Sequence, residues 1–204
     1  ALYQVWAGRS VTVVKSPPGA GKSTMICQAV TQLHKRSDLT VVVATPTRRG
    51  AFELAHRLGE VIGLAQNGQP QVYMGMKANP GERVGDKVAE SGTVSTLKKR
   101  VCVRTIASCA ASAPVCDVLV VDEAYQAVFA QVALAAEGAT QVLMVGDPGQ
   151  IGPVVQSDTS AWAAMSQAPH MRAPEVFEQD QDAFTLRLPS TYRLGQATVD
   201  AIAP

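Results

Sequence analysis

Short runs of apolar and β-branched residues recur along the chain, separated by segments whose apolar residues fall at helical spacing. Val11 to Lys15 is the first run; Leu39 to Ala44, Val101 to Thr105, Asp117 to Glu123, Gln141 to Val145 and Phe184 to Leu188 follow. The central runs lack a polar–apolar alternation, as strands covered on both faces do. Ala51, Leu54, Ala55, Leu58 and Ile62 repeat at the three-to-four spacing of one helical face. Met25 to Lys35, Ile106 to Ala113 and Ala124 to Ala136 read as further helical segments, the last closed by Gly138. Gln66 to Arg100 is rich in glycine, mixed in charge, and holds one short strand, Gln71 to Met74. Ser157 to Asp182 is polar with weak periodicity. Strands separated by helices predict an α/β fold, a mainly parallel sheet with helices on both faces.

Composition narrows the class. The 204 residues are 47% hydrophobic and 17% charged, the make-up of a folded globular chain and not of a disordered one. A formal net charge of +1 gives no whole-chain attraction to nucleic acid, so any basic site must be local. No apolar run approaches the roughly 18 residues of a membrane helix, so no membrane partner is expected. Cys102, Cys109 and Cys116 are evenly spaced, but they lack knuckle spacing and a nearby histidine. With Cys27 they read as reduced, packed thiols, which suits a cytoplasmic protein.

The clearest chemistry follows the first run. Ser16-Pro17-Pro18-Gly19-Ala20-Gly21-Lys22-Ser23-Thr24 stands between a strand and a helix, the context a phosphate-binding loop requires. Gly19 and Gly21 can turn backbone N–H groups inward, because glycine adopts positive φ without strain. Those amides and the helix N-terminus make an anion site. Pro18, Gly19, Ala20, Gly21, Lys22, Ser23 and Thr24 are therefore the expected nucleotide-binding residues. Lys22 is placed to reach the terminal phosphates and Ser23 to hold Mg²⁺. Ser16 stands where the G-x-x-x-x-G-K-[ST] pattern has its first glycine. Asp122 and Glu123 close a hydrophobic strand, where such sheets put their ligands. Asp122 is the expected second metal ligand, and Glu123 the group that polarises the attacking water.

Several motifs in order resemble superfamily 1 helicases. The phosphate loop is similar to their motif I, Ala44-Thr45-Pro46-Thr47-Arg48-Arg49-Gly50-Ala51 to motif Ia, and Val103-Arg104-Thr105-Ile106-Ala107-Ser108, more weakly, to motif Ib. Asp122-Glu123-Ala124-Tyr125-Gln126 resembles motif II, Val145-Gly146-Asp147-Pro148-Gly149-Gln150-Ile151-Gly152-Pro153-Val154 motif III, and Thr191-Tyr192-Arg193 the start of motif IV. Motifs II and III are most like the branch that includes the nonsense-mediated-decay and related viral helicases. The resemblance implies a RecA-like P-loop NTPase that couples Mg-ATP hydrolysis to translocation on single-stranded DNA or RNA and to duplex unwinding. It implies that residues 1–188 form the first motor lobe and 189–204 begin a second lobe that acts as partner across the ATP site. It also implies nucleotide contact by Gln126, phosphate sensing by Gln150 and Arg193, and nucleic-acid contact by Thr45, Pro46, Thr47, Arg48 and Thr105. The motif III strand should then lie between the phosphate-loop strand and the Asp-Glu strand. Gln4 lies too close to Lys22 to serve as the family's adenine-reading glutamine. No Asn-Lys-x-Asp or Ser-Gly-Gly-Gln signature of GTPases or transporter ATPases occurs. A nucleotide-dependent binding module without unwinding activity stays open as the alternative.

Overall fold

A computed structural model describes residues 1–36, 39–79, 84–90 and 100–188. The strands are β1 (Val11–Lys15), β2 (Val41–Thr45), β3 (Val72–Met74), β4 (Val88–Glu90), β5 (Val101–Thr105), β6 (Cys116–Val121), β7 (Ala139–Gly146) and β8 (Phe184–Arg187). The helices are α1 (Leu2–Trp6), α2 (Lys22–Arg36), α3 (Arg48–Ile62), α4 (Ile106–Ala111), α5 (Phe129–Ala136) and α6 (Ala173–Phe177). All eight strands join one sheet in the order β4-β3-β5-β2-β6-β7-β1-β8, and every recorded pairing is parallel. Strand β7 lies between β1 and β6, and β8 flanks β1 on the other side, the arrangement the motif order implies.

Two cores explain why the runs read as they do. On one face α2 and α3 bury Ile26, Val30, Leu33, Leu54 and Leu58 against Val14, Val43 and Val120. On the other, α4, α5 and α6 bury Ile106, Cys109, Val132 and Ala173 against Val13, Val42 and Leu119. Alternate residues of one strand thus serve opposite cores, so a central strand such as β2 is buried at all five positions. Each fully buried aliphatic side chain contributes about 1.5–3 kcal/mol through removal from water. All four cysteines are buried in these cores with free thiols. Burial pushes Cys102 and Cys116 up to about 12 and Cys109 up to about 11, which keeps them protonated.

The structure departs from the sequence reading in several elements, the unexpected helices α1 and α6 among them. Helix α2 begins at Lys22 and not at Met25, so the end of the phosphate loop is already helical. The helix expected over Ala124 to Ala136 is broken into a 3₁₀ turn (Ala124–Gln126) and α5. Its interruption has a partner: Val128 bridges Arg172 in antiparallel fashion. The Phe129 amide donates to Met171 O at 2.7 Å, and the Ala173 amide to Ala127 O at 3.0 Å. Strand β4 was not expected, because three residues with one β-branched member carry no readable period; it pairs with β3 through Val72 and Val88. Arg193, the rest of motif IV and Lys98-Lys99 lie outside the described residues.

Close approach, rather than turn geometry, explains Gly146 at the end of β7. A Cβ there would stand 2.9 Å from the Tyr125 ring and 3.0 Å and 3.1 Å from the Ala124 and Tyr125 backbone nitrogens. Backbone cannot yield as a flexible side chain can. Gly146→Ala is expected to destabilise the fold by about 1–3 kcal/mol, read as a lower denaturant midpoint at unchanged slope.

Candidate nucleotide-binding site

At the carboxyl edge of the sheet, β1, β7 and β6 deliver three loops to one place. The chain leaving β1 stays bonded to β7, since the buried Ser16 donates its amide to Gly146 O at 2.8 Å. Serine is thus accommodated where the usual pattern has glycine. Gly19 and Gly21 adopt φ of +74° and +84°, the left-handed conformation that strains other residues. A Cβ on Gly21 would meet nothing within 4 Å, so open space lies above it. That space is a recess of about 250 Å³ lined by Pro18, Gly19, Gly21, Lys22, Ser23, Thr24, Arg57, Glu123 and Gln150. Ala20 is buried beneath the loop and does not line it.

Two charges face each other across the recess. Lys22 Nζ lies 3.8 Å from Glu123 Oε1, with the two side chains 10% and 30% exposed. The second carboxylate oxygen, Glu123 Oε2, is buried without a hydrogen-bond partner. Glu123 also holds φ of +49°, the only described non-glycine residue in the left-handed region. Strain of this kind costs on the order of 1–3 kcal/mol and collects at functional sites. Asp122, just past β6, accepts the Glu123 amide at 2.9 Å. Burial first, and the Glu123 charge second, push its carboxyl up to about 6 against the pull of that amide, Lys22 and Arg57. A buried acid short of positive charge, an orphaned carboxylate oxygen and an open glycine cradle fit a divalent cation and a polyphosphate. Ser23 and Asp122 are the residues suited to the metal.

Arg57 was missed by sequence reasoning. It sits on α3, and nothing in its local pattern separates it from Arg48 or Arg49. Only the packing of α3 beside α2 turns it toward the recess, where it acts on both Asp122 and Cys27. Gln150 lines the recess as expected. Gln126 does not; it donates to Gln150 Oε1 at 2.7 Å and lines the adjoining hollow with residues 149–154.

The expected nucleic-acid residues lie further along the same edge. Thr45 and Thr105 end β2 and β5 in direct register. Thr47 and Thr105 cap α3 and α4, accepting the amides of Gly50 at 3.1 Å and Ser108 at 3.2 Å. Thr45 donates to Thr47 O at 2.9 Å. Pro46 joins the two threonines, and Arg48 donates to Lys77 O while lying 5.4 Å from the Phe52 ring centroid.

A parallel sheet with a glycine-cradled recess, a loop lysine and a strand-end Asp-Glu pair defines a RecA-like P-loop α/β fold. The chain belongs to the AAA domain family, whose model matches residues 1–201. Among curated proteins none matches. Arterivirus nonstructural protein 10, a helicase solved with DNA, has a TM-score of 0.58 at 17% identity, over 98% of this chain and 40% of that one. T4 UvsW gives 0.57 at 11% identity, over 93% and 34%. The Pyrococcus furiosus Hef helicase domain gives 0.52 at 19%, over 93% and 38%. At such identities the likeness is one of fold. The chain spans 40% or less of the length of these three structures, and no helix among its described residues is long and apolar enough to cross a membrane.

Asp122 gives a pH test in metal-free protein. Its folded value, about 6, lies above the ordinary 3.8, so the native state holds the proton more tightly. The Asp122 contribution to stability is therefore full below about pH 4 and is lost as pH rises through 6. Asp122→Asn is expected to stabilise the EDTA-treated protein at pH 7.5 by roughly 1–3 kcal/mol, with the gain vanishing near pH 4; thermal melts at the two pH values check it.

Proposed function

We propose that the chain is the first motor lobe of a superfamily 1 helicase, binding and hydrolysing Mg-ATP on behalf of single-stranded nucleic acid. The observation that carries this reading is the convergence of Lys22, Glu123 and Gln150 on one glycine-cradled recess. Residues 1–188 are the lobe, and residues 189–204 open a second one that would complete the ATP site. Bound Mg²⁺ supplies Lewis-acid charge at the terminal phosphates. Ser23 and Asp122 would hold that ion, Asp122 directly or through a water. The backbone amides of Gly19, Gly21 and Lys22 and the N-terminus of α2 bind the phosphate oxygens, while Lys22 adds a point charge. Glu123 takes the proton of the attacking water through its otherwise unpartnered oxygen. Gln150, with both a donor and an acceptor, distinguishes the reacting and product phosphates. Gln126 serves the nucleotide through Gln150, and Arg193 is the expected planar cation of the second-lobe side.

The row of Thr45, Pro46, Thr47, Arg48 and Thr105 supports nucleic-acid contact through backbone phosphates, without base reading. Single strands of DNA or RNA fit that row equally. The nucleotide-gated binding module differs in one respect: it binds ATP and nucleic acid without turnover.

Two variants of the full-length protein test the reading. Lys22→Ala is expected to remove Mg-ATP binding while the protein still folds cooperatively with a modestly lower melting temperature, since its side chain packs no core but faces Glu123. Glu123→Gln is expected to keep ATP affinity and lower turnover by about 10²–10⁴-fold. Equal loss of affinity and turnover in Glu123→Gln would reassign that residue to binding. A single-strand-stimulated ATPase supports the motor, and ATP-dependent binding without hydrolysis supports the module.

A further inference from the structure

We infer that Arg172, which belongs to none of the helicase-like motifs, is a positioning residue that aims Gln150 by clamping the backbone of the loop after β7. This rests on the nucleotide reading above and adds to it a residue that touches no phosphate. The Arg172 guanidinium donates to Pro148 O at 2.9 Å through Nη1 and to Gln150 O at 3.1 Å through Nη2. These carbonyls bracket Gly149, so a planar fork spans the tip of the loop, a geometry a single ammonium cannot reproduce. Glu175, 3.5 Å from Nη1, holds the guanidinium from behind.

The other end of Arg172 is fixed to the Asp-Glu loop. Its backbone bridges Val128, flanked by the hydrogen bonds of Phe129 to Met171 O and of Ala173 to Ala127 O. One residue therefore ties the chain just after Glu123 to the chain bearing Gln150. Gln150 meets the same partner again through its side chain, since Gln126 donates to its Oε1 at 2.7 Å. Gly152 marks how closely the clamp is fitted. A Cβ there would lie 2.7 Å from Arg172 Nε and 3.4 Å from Cζ, so only glycine leaves the guanidinium its place. Without the clamp, the backbone of Pro148 to Gln150 would keep the Asp147 turn, in which the Asp147 carboxylate and carbonyl accept the Gly149 and Gln150 amides at 2.9 Å and 3.2 Å, and the Gln150 side chain would keep its single bond from Gln126. The Gln150 side chain would then sample orientations away from the recess, and turnover would fall while the phosphate loop still bound ATP.

The test uses the full-length protein, Mg-ATP turnover and binding of a fluorescent ATP analogue. Arg172→Gln is expected to lower kcat by about tenfold or more with analogue affinity unchanged within about twofold. Arg172→Lys, which can serve one carbonyl at a time, should fall between. Gly152→Ala displaces the guanidinium without deleting it and should reproduce the Arg172→Gln phenotype, so the proposal stays testable if Arg172→Gln does not fold. In a double-mutant cycle, Arg172→Gln or Gly152→Ala should cost less than about twofold once Gln150 is already alanine. Effects that multiply with Gln150→Ala, a parallel loss of affinity and kcat, or undiminished turnover would each overturn the positioning role. Lys22→Ala separates this from the underlying reading. If that variant keeps full affinity and turnover, the nucleotide assignment fails; if it loses them while the cycle is multiplicative, only the clamp does.

Discussion

Strand β7 hydrogen-bonds to β1 on one side and β6 on the other, and the whole site depends on that double pairing. In a parallel sheet every strand ends at the same edge, and adjacent strands lie about 4.8 Å apart. The ends of β1 and β6 are therefore held about 10 Å apart, with the end of β7 between them. Across that interval a lysine from the loop after β1 and a carboxylate from the loop after β6 reach one another, which is why Lys22 and Glu123 stand at 3.8 Å. Gly146, pressed against the Tyr125 ring and backbone, lets the middle loop pass beneath them. A one-strand change in order would part these groups by a further strand spacing, beyond what their side chains span.

The ligand-free site is held in a condition that does not favour the fold. Glu123 is strained at φ of +49°, one of its oxygens is buried unpartnered, and its charge adds to burial in raising Asp122. Glycine would relieve the first of these, and a neutral residue the other two. The charges of Lys22 and Arg57 oppose the rise at Asp122. Burial in the two cores supplies the stability against which this local cost is set. The arrangement is that of a site organised before its ligand arrives, so less ordering accompanies the chemistry.

Legibility in the sequence followed the range of the physics. Gly19, Gly21, Lys22 and Ser23 were readable because a phosphate loop is built from consecutive residues whose conformational needs are local. The central strands were readable because burial on both faces leaves an unbroken apolar run, as in Val41 to Thr45. Asp122 and Glu123 were readable from their place at the end of a hydrophobic strand downstream of that loop, and Gln150 only as a member of an ordered set of motifs. The break between Ala124 and Ala136 was hidden, since it is imposed by residues 171–173, over forty positions away. Arg57 was hidden for a related reason. Its role comes from where α3 lies against the phosphate-loop helix, and an arginine on a solvated helix face has the same local sequence.

Helix α6 extends that point from single residues to an element. Five residues cannot form a stable helix alone, so its existence depends on contacts made elsewhere. Val176 is buried, and Phe177 meets the Phe129 ring edge-on at 5.5 Å between centroids. Just past its end, Glu178 pairs with Lys15 at 2.9 Å and accepts from Thr185 at 3.3 Å, joining the ends of β1 and β8. Just before its start, Arg172 holds the loop after β7. The contacts that fold this short helix are therefore also those that join β1, β8, α5 and the loop after β7. Its local sequence, Ala-Pro-Glu-Val-Phe, carries none of this: a side chain that holds another loop by its backbone carbonyls asks nothing of the side chains it holds, and the trace it leaves, the glycine at position 152, lies in a distant part of the chain.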